Sequence, residues 1–326
     1  MNRIALLSLI LLTGLLGCSS SPSSAPQWST GVAENYPPSR YLTAIGEANS
    51  REFAEQRALS ALARVFEVNI QEQNSDFSLF QSGTGQESET INRQVNSRQL
   101  IASTEQVVEG AIPVEYWQNN QQHLVLVALE RSGAEQRIRQ QIGQLDQQTS
   151  ALARYASNNQ LNSVVQISAL EQARQLQRQR IPLNRNLSVV SGKQISPPIS
   201  AASLEQLIRN QLAELQFSLA AEPELLAQLE HAVGQIGASI QNEAELHLHG
   251  AMDREPIVMQ QGWYWVRGSL QLALSNSDGT VIAQQRWPVK ISAQEEGMVE
   301  QRLRDRINQD IANQLFQLVT STQLDK

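Results

Sequence analysis

Asp278-Gly279 sits between two long runs of alternating apolar residues, and no other feature restricts the fold of this chain as tightly. An Asp-Gly pair so flanked is the strongest short-range hairpin signal, because the turn needs backbone conformations that Gly adopts freely and Asp tolerates. A two-residue turn there predicts that Ser277 pairs with Thr280, and the side-chain period of two carries the register outward. Tyr264, Val266, Leu270, Leu272 and Leu274 then share one face with Val281, Ala283, Trp287, Val289 and Ile291. Trp263, Trp265, Arg267 and Gln271 fall on the other face, away from the apolar one.

A sheet with one apolar face needs a cover. Val299, Leu303, Ile307, Ile311, Leu315, Leu318 and Val319 recur at helical spacing and suit that task, with Ser292 and Glu295 as a capping box. Upstream, Ser203 and Gln206 read as the cap of a helix carrying Leu204, Leu207, Ile208, Leu212 and Leu215. Phe217 to Leu219 read as a short strand, 223–236 as a helix with Leu225, Leu226 and Leu229 inward, and 244–252 as a third long strand. Residues 201–326 therefore predict one α+β domain.

The amino-terminal half repeats that mixture. Tyr41 to Ala48 read as a buried strand closed by a turn containing Gly46, followed by a helix with an Asn49/Glu52 cap. Its narrow stripe of Phe53, Ala54, Ala58, Ala61, Leu62 and Val65 lets it lie close on a sheet. Phe66, Val68 and Ile70 alternate with polar residues, the period of a strand. Residues 73–92 read as a loop, and 107–117 and 123–130 as strands, the latter apolar on both faces and so central. A second α+β domain over 37–131 results. Between the domains, 132–182 read as two antiparallel helices turning at Ser157 to Gln160 and ending at Pro182, a hairpin expected to pack on the first domain, with a projecting arm that contacts a partner as the alternative. Residues 183–200, with Ser191-Gly192 and Pro197-Pro198, read as a linker. The expected fold class is α+β: two α+β domains joined by a helical hairpin.

Residues 1–17 pair Arg3 with a short apolar run and end in Gly17, directly before Cys18, the single cysteine of the chain. The run is shorter than the roughly 20 apolar residues that span a bilayer. It resembles a bacterial lipoprotein signal, which implies cleavage after Gly17 and acylation, including a palmitate-type chain, at Cys18. Ser19 in place of Asp implies, by the same resemblance, sorting to the outer membrane with the domains facing the periplasm or cell surface. With Cys18 acylated no disulfide can form, so packing alone holds each domain. Residues 18–36 form the anchor and tether, whose Ser/Pro-rich stretch of eight residues reaches at most about 28 Å.

Tyr41-Leu42-Thr43-Ala44-Ile45-Gly46-Glu47-Ala48, the Ala-rich helix with Glu55-Gln56-Arg57-Ala58, and Leu124-Val125-Leu126-Val127-Ala128-Leu129-Glu130-Arg131 together resemble the LPP-twenty lipoprotein family. That resemblance implies an outer-membrane or surface lipoprotein with an α+β domain and implies no catalytic residues. The order of elements from 244 to 319 also resembles the amino-terminal domain of TolB and cell-wall-synthase activator lipoproteins, which implies a periplasmic partner-binding module.

Candidate chemistry is sparse. The 25 basic and 32 acidic residues are interspersed, without the basic stripe a nucleic-acid partner requires. His247 and His249 alternate on a strand with Glu245 on the same face, a metal pair lacking a fourth ligand. Asp253 and Glu255 read as a solvated turn rather than paired catalytic carboxylates. No phosphate-binding loop, nucleophile elbow or zinc-protease motif occurs, so no cofactor and no enzymatic activity are expected. Trp263, Trp265 and Arg267 have the composition of an interface hot spot, although coverage by a helix as core is the alternative. The expected function is a non-enzymatic envelope assembly or interaction factor with a protein partner. Activation of a peptidoglycan synthase, an accessory role at a flagellum or surface organelle, and a cryptic envelope hydrolase are the alternatives.

Overall fold

The computed structural model describes residues 25–31, 33–71, 108–119 and 121–321, with side chains from 67 to 71 excepted. The signal, Gly17, Cys18, the start of the tether and the 73–92 loop lie outside the described residues. Half of the described residues are helix and 28% strand, the expected α+β class. Two compact units form: residues 1–65 with 108–132, and residues 66–107 with 133–326. Among the described residues, no helix is long and apolar enough to cross a membrane.

In the first unit, β1 (Tyr41–Ala48), β2 (Ile112–Gln118) and β3 (His123–Glu130) form an antiparallel sheet in the order β1-β3-β2. Six consecutive residues of β3, Leu124 to Leu129, are buried, as the two-sided apolar pattern of a central strand requires. Pro113 lies on the edge strand β2 beside a register shift, where its missing N–H costs no ladder bond.

Gly46 closes no turn; it lies inside β1, opposite Val125. A Cβ there would stand 1.9 Å from the Ala54 carbonyl oxygen and 2.3 Å from the Ala58 nitrogen, so the glycine permits contact between β1 and α1 (Arg51–Gln71). The helix is capped by Ser50, whose hydroxyl accepts from the Phe53 N–H, rather than by Asn49. Its buried stripe is Ala54, Ala58, Leu62 and Phe66, whereas Phe53 is 62% exposed and Val65 is exposed. The strand expected at 66–70 is the end of this helix. Nothing between Val65 and Phe66 breaks a helix, and Phe66 simply continues the four-residue repeat.

The second unit begins with α2 (Arg131–Ala156) and α3 (Ser163–Ser191). They run antiparallel, as Gln177 donates to Thr149 at 3.0 Å and Arg180 to Asp146 at 2.7 Å. The linker expected over 183–200 is a correction: α3 continues through Pro182 to Gly192, which caps it at φ 69°. Pro182 removes one N–H but does not end the helix, because Leu183, Leu187 and Val190 beyond it are buried. Arg180 and Asn184 also hold the backbone of Ile195. Val164, Ile167, Ala169, Leu170 and Ala173 join the carboxyl-terminal core, and Ser168 donates to the Thr320 carbonyl oxygen.

That core lies under a six-stranded sheet. The strands are β4 (Gln216–Ala221), β5 (Ser239–Ile240), β6 (Leu246–Arg254), β7 (Val258–Gln260), β8 (Trp263–Asn276) and β9 (Val281–Ala293). β4 pairs in parallel with β5 and β6; β6, β7 and β9 pair antiparallel with β8. Three helices complete the unit: α4 (Ala201–Glu214), α5 (Pro223–Gln235) between β4 and β5, and α6 (Glu296–Thr320). Leu204, Ile208 and Leu212 of α4, Leu225 and Leu229 of α5, and all seven residues of the α6 stripe are buried. The caps differ from expectation: Ser200 rather than Ser203 caps α4, and Glu295 precedes α6 while Ser292 remains in β9.

The β8–β9 register matches from Tyr264/Ala293 to Leu274/Ala283, yet the turn is longer than two residues. Asn276 and Thr280 close a three-residue loop with Gly279 at φ 85°, and the register then shifts beside Ser275/Val281. One extra loop residue and one extra residue in β9 cancel. Val266, Leu270, Leu272 and Leu274 are buried on the inner face as the alternation requires.

Candidate interaction surface

Trp263, Trp265 and Arg267 lie on the face of β8 opposite those buried leucines, and neither tryptophan belongs to the core cluster. Trp263 is 40% exposed, and Trp265 is half-buried with the Lys290 ammonium 4.8 Å from its ring centre. Coverage by a helix, the alternative reading of these tryptophans, therefore does not occur for Trp263. Lys290 stands directly opposite Arg267 in the ladder, and both are exposed. Further along the face Arg286 donates to Ser269 and to Asp253, the latter at 2.5 Å. The result is an open sheet surface whose aromatic end carries cations and whose middle is ion-paired.

The histidines lie at the opposite end of this face. His247 is half-buried, its Nδ1 sharing a hydrogen bond of 2.5 Å with the Ser218 hydroxyl; His249 and Glu245 are exposed. Among the described residues no group of three or more His, Cys, Asp or Glu is placed to hold a metal ion. Asp253 belongs to β6 and is engaged by Arg286, so it forms no carboxylate pair with Glu255.

Residues that sequence reasoning missed sit at the aromatic end. β7 was unexpected, since Gln261-Gly262 is not among the usual hairpin dipeptides. Both residues nevertheless take positive φ, 54° and 78°, and turn β7 tightly into β8. Lys290 was legible, being the residue that the predicted register sets against Arg267.

The first unit offers a smaller polar cluster. The Tyr116 hydroxyl lies 2.6 Å from His123 Nδ1 and 2.5 Å from Gln118 Oε1, and the Arg51 guanidinium sits 4.8 Å from the Tyr116 ring centre. A depression lined by Gln27, Trp28, Ala33, Glu34, Asn35, Tyr36 and Glu115 lies in the same unit.

The second unit is thus an α+β fold with one open sheet face that carries aromatic and basic side chains. Residues 26–130, which include every described strand of the first unit, match the LPP20 lipoprotein family. No curated protein matches the chain. Among solved structures, a minor lipoprotein from Acinetobacter baumannii is 16% identical over 32% of this chain and 91% of its own, with a TM-score of 0.27. The secreted protein HP1454 from Helicobacter pylori is 16% identical over 86% of this chain and 96% of its own, with a TM-score of 0.41. Both scores are too low to carry an argument about fold or function.

Proposed function

We propose that this protein is a lipoprotein acylated at Cys18, sorted to the outer membrane, that serves as a non-enzymatic interaction factor of the cell envelope. The open face bearing Trp263, Trp265 and Arg267 is the observation that supports this reading. An exposed tryptophan and an unpaired arginine beside it are the side chains that contribute most when buried at a contact. The family match over 26–130 supports the lipoprotein class, and Ser19 after Cys18 supports the outer membrane.

The test is made in intact cells. A photoreactive benzoylphenylalanine at position 265 should give adducts with an envelope component, while the same group at exposed position 207 on α4 should not. Equal labelling from both positions would remove the open face from the proposal. Separately, Cys18→Ala should abolish acyl labelling, and continued labelling would refute the anchor.

A further inference from the structure

The hairpin of β7 and β8 carries exposed apolar side chains on both faces, directly behind an uncharged turn of Gln260, Gln261 and Gly262. Val258 pairs with Trp265, Met259 with Tyr264 and Gln260 with Trp263. Directly paired residues share a face, so Val258, Trp263 and Trp265 lie on the open side and Met259 lies on the other beside Tyr264. Val258 is 55% exposed and Met259 is 67% exposed. From Pro256 to Val266 the sequence holds no charged residue, and the tight turn at Gln261-Gly262 carries none to its end. A partner protein offers a surface to one side of such a ribbon. A tip that is apolar on both sides is satisfied by a medium that surrounds it.

The charges behind the tip fit the same medium. Arg267 lies four positions beyond Trp263, about 13 Å along a strand. A tip immersed by roughly 5–10 Å thus leaves Arg267 and Lys290 at the level of lipid headgroups. Indole rings favour that boundary. Among the described residues neither Arg267 nor Lys290 holds an ion pair; Glu255 stands opposite Arg267 on its other side, its N–H donating to the Arg267 carbonyl oxygen, so the row Glu255, Arg267 and Lys290 keeps one net positive charge. In a chain of net charge −7, this locally cationic row is complementary to an anionic surface.

We propose that the β7–β8 tip docks the second unit onto an anionic lipid surface. This rests on the reading of the open face as a contact surface and names what it contacts. The probe is the full chain carrying Cys18→Ala, so that no acyl chain contributes, mixed with phosphatidylcholine vesicles with and without phosphatidylglycerol. Binding should favour the anionic vesicles, and brominated phospholipids should quench tryptophan emission, with the quenching reduced in Trp263→Phe. Met259→Asp and Val258→Asp, both at exposed positions, should each weaken binding roughly tenfold or more, as a carboxylate placed in lipid requires. Arg267→Gln and Lys290→Gln should each weaken it about fivefold at low salt. An unchanged thermal midpoint in each variant shows that the fold is intact. Absent quenching, or anionic-vesicle binding indifferent to both tip variants, overturns the inference. A position-265 adduct with an envelope protein, together with no vesicle binding, would overturn the lipid while leaving the open face as a contact surface.

Discussion

Arg267 stands directly opposite Lys290 in the β8–β9 ladder, and among the described residues neither cation holds an ion pair with a carboxylate. Like charges directly opposed across strands destabilise a sheet, and Glu255, opposite Arg267 on its other side, offsets part of that repulsion. Arg267→Thr removes the repulsion from Lys290 together with the attraction of Glu255, terms of roughly 0.2–1 kcal/mol each, and should leave the urea midpoint close to unchanged. Lys290→Thr relieves the same repulsion but gives up the ammonium over Trp265, worth about 0.5–1 kcal/mol at exposed sites, and should be close to neutral. Arg267→Thr coming out clearly destabilising would mean that the arginine has a structural task within the fold.

Gly46 and Gly143 make a matched pair for testing what glycine does in each unit. At Gly46 an added Cβ meets the backbone of α1, which cannot rotate away as a side chain can. Gly46→Ala should cost about 3 kcal/mol or more and loosen the first unit. Gly143 lies inside α2, where an added Cβ meets nothing within 4 Å. Gly143→Ala should stabilise by ~0.5–1 kcal/mol through helix propensity alone. Denaturant titration of both variants decides; a mild effect at Gly46 would show that α1 can lift from β1 at low cost.

The residues that follow a period were legible, and those that depend on a local competition were not. The α6 stripe, β3 and the two faces of the β8–β9 hairpin follow from alternation or helical spacing over eight or more residues, where many side chains vote together. Each capping box was misplaced because several Ser, Asn or Glu residues stand near each helix start; at α1 and α4 one hydrogen bond, to Ser50 or Ser200, chooses among them, and at α6 Glu295 takes the place with no side-chain bond. At Phe66 a five-residue alternation was outweighed by an uninterrupted helix. At Pro182 a breaker was outweighed by the burial of Leu183, Leu187 and Val190 beyond it, which no local rule anticipates. The open face was readable once the register was set, but Val258 and Met259 were not, because β7 is three residues long.

Glu171 and Arg174, one turn apart on α3, form a bidentate pair of 2.6 and 2.8 Å with both side chains almost wholly buried. Burial also lowers the Arg178 guanidinium from its ordinary value, with Arg174 adding repulsion and Glu171 opposing it. Arg174→Met leaves the Glu171 carboxylate buried without this partner and should cost about 3–5 kcal/mol. Adding Glu171→Leu should recover most of that loss, since desolvating an ion pair is itself expensive. Thermal unfolding of the single and double variants is the measurement. A double variant no more stable than Arg174→Met would mean that Glu171 acts through partners other than Arg174.

Asp278 makes the β8–β9 loop sensitive to acid. The Thr280 backbone N–H donates to its carboxylate at 2.8 Å, and this bond, aided by the Thr280 side chain, holds the Asp278 carboxyl below its ordinary value. A carboxyl whose folded value is depressed contributes stability above its unfolded value, about 3.9, and loses it as pH falls through the folded one. Protection of the Thr280 amide, expressed relative to the unstructured rate at each pH, should thus be constant above about pH 5 and fall in the acid range below that. Asp278→Asn keeps an acceptor oxygen and removes the titration, so its protection should be flat with pH. Asp278→Ala should be weakly protected throughout. Equal acid loss in the asparagine variant would place the sensitivity on another group and leave the loop held by Gly279 and the Asn276–Thr280 backbone bond alone.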